Sequence, residues 1–170
     1  LLPPDALVCH DGDMSFDTEI TRDGETLIGP LRAPAQMLAE QEYAGHTSVH
    51  DEATAAQLGL AGAPIEGPTH FSQIDPLAVE HWGQAWFERG CVSSHFLNMV
   101  VEGEQVRASL EPVTSTLARI SAEKADGTPV LTGTATIGRD DTTELDERRQ
   151  RALADPGSLH IVDRLELGMS

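Results

Sequence analysis

The sequence predicts an α+β fold built on an antiparallel sheet, and three observations carry that prediction. From Cys91 to Ile137 apolar residues recur in short, strand-like runs, broken by Glu102-Gly103 and Asp126-Gly127. Alternation of this kind punctuated by Gly turns is the pattern of antiparallel strands. Ahead of them, Phe71, Ile74, Leu77, Ala78, Val79 and Trp82 leave little polar surface on a helical stretch, which must be buried on most sides. A hairpin opens the chain, so helices and strands are segregated along it, and that order favours helices packed on an antiparallel sheet.

The elements follow in order. In "MSFDTEITRDGETLIGPL", Met14, Phe16 and Ile20 share a face that Leu27 and Leu31 echo, and Asp23-Gly24 supplies a tight turn. Ala35 to Tyr43 reads as helix or strand and stops at Gly45. "HDEATAAQLGL" reads as a helix with Asp51 and Glu52 in its first turn, where the helix dipole favours acids, and Gly59 or Gly62 ends it. Pro68 suits the first position of the long central helix, and Pro76 predicts a kink or break at Asp75. "GQAWFERG" adds a short helical turn. Four consecutive strands then form a meander, with Val106, Ala108 and Leu110 on one face, followed by Leu117, Ile120, Val130, Leu131 and Ile137. Thr142 or Thr143 caps a charged helix ending near Ala154, and "SLHIVDRLELG" adds a last strand or lies over the body. One main domain is expected over 1–138, with a helical extension over 139–170.

Composition narrows the function. The 170 residues are 39% hydrophobic and 23% charged, as in a globular domain able to bury a core. With 28 acidic and 11 basic residues the net charge is −17, which repels phosphate backbones and argues against nucleic-acid binding. Cys9 and Cys91 match no metal motif and read as free thiols. No segment approaches the roughly 18 apolar residues of a membrane span. The start "LLPPDALVCHDGD" has no basic region of a signal peptide, so a cytoplasmic protein is expected. A single sheet with one covered face leaves edges exposed, and a homodimer is the natural cover.

Three stretches carry a resemblance: Val49-His50-Asp51-Glu52-Ala53, then Gly62-Ala63-Pro64-Ile65-Glu66-Gly67-Pro68-Thr69, then "WFERGCVSSHFLNMVVEGEQV". Together they resemble the hotdog-fold, MaoC-like (R)-specific enoyl-CoA hydratases, and most of all MaoC-like proteins of actinobacteria. The likeness spans roughly Tyr43 to Ile137. It implies a hotdog fold, an antiparallel sheet wrapped around a long central helix. It also implies a hydratase or dehydratase acting on an acyl thioester of coenzyme A, with no resident cofactor. In that family an Asp and a His five residues apart activate water, and backbone N–H groups at the head of the central helix hold the thioester carbonyl. His50 falls on the family's histidine. Five residues before it stands Gly45 in place of the acid, with His46 beside it.

The catalytic candidates are therefore His50, His46 and Glu66, the last two as replacements for the absent carboxylate. Glu66 also reads as a complement to the helix dipole. Gly67 lets backbone approach a ligand. Gly67, Pro68, Thr69, His70 and Ser72 are the candidate substrate-binding residues; Thr69 and Ser72 carry hydroxyls for a thioester oxygen, and Thr69 alternatively caps the helix. A metal held by His46, His50, Glu66 and His70 lacks a known spacing, and no metal is expected. Arg89 and Arg107 are either handles for the anionic tail of coenzyme A or solvated surface. Two rival functions stand beside the hydratase: a hotdog thioesterase using Glu66 or another carboxylate, and a non-catalytic protein that binds an acyl ligand or a partner subunit; the resemblance also implies that two unlike hotdog units can pair.

Overall fold

A computed structural model describes residues 16–37, 48–138 and 141–152. The chain opens with a hairpin of β1 (Thr21–Asp23) and β2 (Thr26–Ile28), turning where Gly24 takes a φ of +59°. Helix α1 (Glu52–Gln57) follows. Asp51 stands just outside it as the N-cap, its carboxylate accepting the Thr54 N–H at 2.9 Å. Asp51 thus caps the helix and does not belong to its first turn. Gly59, with φ +74°, lies just beyond it.

The central helix is present but segmented into α2 (Gly67–Phe71), α3 (Asp75–Trp82) and α4 (Gln84–Arg89). Pro76 explains the first break: it can occupy only the opening turn of a helix, so α3 begins at Asp75. Gly83, with φ +57°, makes the second.

Four long strands complete the sheet: β3 (Gly90–Phe96), β4 (Val106–Pro112), β5 (Leu117–Lys124) and β6 (Pro129–Ile137). The order is β1-β2-β4-β5-β6-β3, and every pairing is antiparallel. β4, β5 and β6 form the expected meander, and Gly127, with φ +85°, makes the β5–β6 turn. β3 does not join that meander next to β4. It pairs with β6 along its whole length, Gly90 opposite Ile137 and Phe96 opposite Leu131. The turn at Glu102-Gly103 forms, but it joins strands at distant places in the sheet. The segment between them is tied to the head of the central helix by a Pro64–Val101 bridge and by the Ile65 N–H to Val100 O bond of 2.8 Å.

Strand alternation decides the two faces. Val106, Ala108 and Leu110 of β4, with Ala118, Ile120 and Ala122 of β5, are buried. With Leu27 and Leu131 they form one core with Ile74, Leu77 and Ala78 of the helical layer. Each fully buried Leu or Ile contributes about 1.5–3 kcal/mol. Helical segments seated on one face of an antiparallel sheet in this strand order make a hotdog fold of the α+β class. Phe16 and Leu31, expected on the core face of the hairpin, are 44% and 41% exposed. Leu117 falls on the opposite parity from Ile120 and is only partly buried.

Helix α5 (Glu144–Ala152) is capped by Thr143, as one of the two sequence alternatives held. The Asp146 N–H donates to Thr143 Oγ1, and Asp146 Oδ2 accepts from the Thr143 N–H and hydroxyl, a reciprocal capping box. Met14, Cys9, residues 38–43, Gly45, His46 and the final "SLHIVDRLELG" lie outside the described residues. Cys91 is an exposed free thiol. Among the described residues no helix is long and apolar enough to cross a membrane.

Candidate functional site

The loop entering α2 is pinned from several directions. Pro64 O accepts His50 Nδ1 at 2.6 Å and Gln36 Nε2 at 3.0 Å, and Gln36 also reaches His50 O at 3.3 Å. A carbonyl only accepts, so Nδ1 is the donor in this bond, and in the neutral tautomer that keeps it Nε2 is the ring's acceptor. The His50 backbone N–H is held by Ser48 Oγ at 3.2 Å. Gln36 escaped sequence reasoning because nothing in its own neighbourhood marks a residue that ties two distant loop carbonyls.

Glu66 is buried at the N-cap position of α2 but makes no side-chain cap bond. Its carboxylate instead accepts the Met37 N–H at 3.1 and 3.4 Å and the Thr69 hydroxyl at 3.2 Å. One turn on, His70 is 3% exposed, and its Nδ1 has no hydrogen-bond partner among the described residues. Burial holds the His70 imidazole below its usual pKa, with the Glu66 carboxylate opposing that shift, so the ring is neutral at pH 7.

Beside this loop lies an open, largely apolar cavity of about 460 Å3. Val49, Leu60, Ile65, Phe96, Leu97 and Met99 form much of its wall, with His70 and Asn98 supplying polar side chains. Asn98 is fixed by donating to Pro129 O at 2.8 Å. Gly67 leaves room for the Phe96 ring: an added Cβ would stand 2.9 Å from Phe96 Cζ and displace the ring tip. The Phe96 ring also lies 5.9 Å from the His70 ring.

Of the residues singled out in the sequence, Gly67 and His70 are on the cavity wall, and His50 adjoins it through Pro64. Pro68, Thr69 and Ser72 are not on the wall. The Thr69 hydroxyl points to Glu66, and the Ser72 hydroxyl donates to Thr69 O at 2.7 Å. Arg107 lies on the opposite face of the sheet, paired with Glu123 at 2.7 Å. Among the described residues no group of three or more His, Cys, Asp or Glu is placed to hold a metal. The apolar wall from Phe96 to Val100 was hidden in the run "FLNMVV": its composition reads as strand core, and only the fold turns it toward the helix head.

The fold defines a class, the α+β hotdog domain. No protein-family model matches the chain, and no curated protein matches it. Among solved structures, an (R)-hydratase from A. caviae involved in PHA biosynthesis is similar, with 21% sequence identity and a TM-score of 0.41 over 54% of this chain and 74% of that one.

Proposed function

We propose that the protein binds the acyl group of a coenzyme A thioester in the cavity at the head of α2 and adds water across its α,β double bond, or removes it. The observation that carries this reading is the pairing of an apolar cavity with a neutral imidazole in its wall whose Nδ1 has no hydrogen-bond partner among the described residues. The acyl chain lies against Phe96, Leu97 and Met99, and a His70 N–H meets the thioester carbonyl. A neutral donor in a dry wall stabilises charge that develops on that oxygen more strongly than a solvated one. His50, with its proton fixed on Nδ1, takes the proton of the attacking water through Nε2. The water oxygen bonds to the β carbon, and the α carbon receives the proton that His50 took up, which returns the ring to its starting state.

A second reading, a binding protein without turnover, is favoured by Gly45 standing where the family's acid stands. The cover of the cavity is proposed to be a second copy of this chain, since β3 ends the sheet and Phe96, Leu97 and Met99 are exposed beside it.

Crotonyl-CoA tests both readings. Loss of the enoyl absorbance without free thiol, reduced at least a hundredfold by His50→Ala, supports the hydratase. Thiol release points to a thioesterase. Saturable binding with neither signal supports the binding protein, and activity indifferent to His50→Ala sinks the role given to that residue.

A further inference from the structure

We propose that the outer face of the sheet carries a second ligand site, for a small zwitterion of the amino-acid class, in the polar cavity beneath α5. This site is separate from the acyl cavity and does not depend on its function. It encloses about 560 Å3, within the range of small-molecule sites. Its floor is built by register. Ser109, Ser121, Thr132 and His95 face one another in a row across β4, β5, β6 and β3, and all four line the cavity. Among the described residues no partner hydrogen-bonds to these three hydroxyls, which leaves them for a ligand.

Two arginine–glutamate pairs face each other across β4 and β5 on this same side. Arg107 and Glu123 close to 2.7 Å. Glu111 and Arg119 are also directly opposite, yet neither forms an ion pair among the described residues. The closed pair lies outside the cavity and the open pair lines it. A guanidinium and a carboxylate on opposed positions of adjacent strands, with no ion pair between them, suit a molecule that carries both opposite charges. Its carboxylate takes the fork of Arg119, and its ammonium lies toward Glu111 and Glu147.

The roof is fixed over this floor. The Glu144 N–H donates to Thr134 Oγ1 and the Leu145 N–H to Ser93 Oγ, both at 3.0 Å. The Glu144 carboxylate is buried, 3.0 Å from His95 Nδ1 and 3.4 Å from Arg151 Nη2. The His95 approach lacks hydrogen-bond alignment, so Nδ1 keeps no hydrogen-bond partner among the described residues. Both signs of charge in the wall select the ligand. Glu111, Glu144 and Glu147, within a chain of net charge −17, oppose a polyanion. A simple cation satisfies the carboxylates but leaves the Arg119 guanidinium without an anion. A zwitterion meets neither penalty.

Calorimetric titration of the full chain with the twenty amino acids tests this, alongside the amide analogue lacking the carboxylate and the hydroxy acid lacking the amine. At least one zwitterion is expected to bind saturably, and each single-charge analogue at least tenfold more weakly. Arg119→Met is expected to abolish binding, Arg119→Lys to weaken it, and Arg107→Met to leave it unchanged, each with a wild-type circular-dichroism spectrum. No binding across the panel, equal binding of a single-charge analogue, or binding unaltered in folded Arg119→Met overturns the proposal.

Discussion

Gly133→Ala and Gly67→Ala add the same methyl group at two places, and the structure separates their consequences. At Gly133 the new carbon would stand 2.3 Å from Ser93 O and 2.8 Å from Ser94 Cα, both backbone atoms of the neighbouring strand. Reaching ordinary contact requires β3 and β6 to part by roughly 1 Å. Overpacking costs about 1–3 kcal/mol, and one or two loosened ladder bonds cost about 0.5–1.5 kcal/mol each. A loss of about 3 kcal/mol is expected, which for a domain of this size lowers Tm by roughly 6–12 °C. At Gly67 the obstacle is the tip of the Phe96 ring, which is 47% exposed and free to swing. Gly67 is not among the positive-φ positions, and alanine favours helix by up to about 1 kcal/mol. Stability should therefore stay within about 1 kcal/mol of wild type, while the displaced ring weakens acyl-ligand binding. Urea unfolding with fitted midpoint and slope measures both. If Gly133→Ala is neutral, or Gly67→Ala is equally damaging, the assignment of rigid and yielding neighbours is wrong.

Further outcomes follow from the same geometry. His70→Leu removes a buried nitrogen without a partner, so a gain of about 1 kcal/mol is expected together with loss of thioester turnover; equal activity would remove His70 from the site. Leu110→Ala empties a fully buried position and should cost about 2–5 kcal/mol by urea unfolding. Stability should fall on acidification. Burial lowers the pKa of His70 and of His81, so below the unfolded value of 6.5 the unfolded chain binds protons that the native rings resist. The loss starts near pH 6.5 and levels off once the native rings protonate. Glu104 acts in the same direction at lower pH: desolvation raises its pKa, but the Lys124 and Val101 hydrogen bonds and the Lys124 charge together lower it. Urea midpoints at pH 7.5 and 5.5 should converge in a His70→Asn, His81→Asn double variant, and an unchanged gap would show that other groups carry the dependence.

Much of the fold was legible because local physics fixes it. Gly24 and Gly127 mark hairpin turns, Pro76 sets where α3 begins, and the alternation of Val106, Ala108 and Leu110 chooses the buried face. These signals act within a few residues of themselves. The site was legible only in part, through Gly67, His70 and the neighbourhood of His50. Its other wall comes from residues 96–100, and its anchor Gln36 lies fourteen residues from His50.

By itself, then, the sequence determined most elements, the buried face of β4 and a strong net negative charge, since periodicity, turn chemistry and charge are properties of short stretches. Tertiary structure decided that β3 crosses to β6, that "FLNMVV" faces the helix head, and that Arg107 closes on Glu123 while Arg119 stays open. Strand order and the gap between two side chains depend on how distant segments pack, and no local pattern encodes that distance.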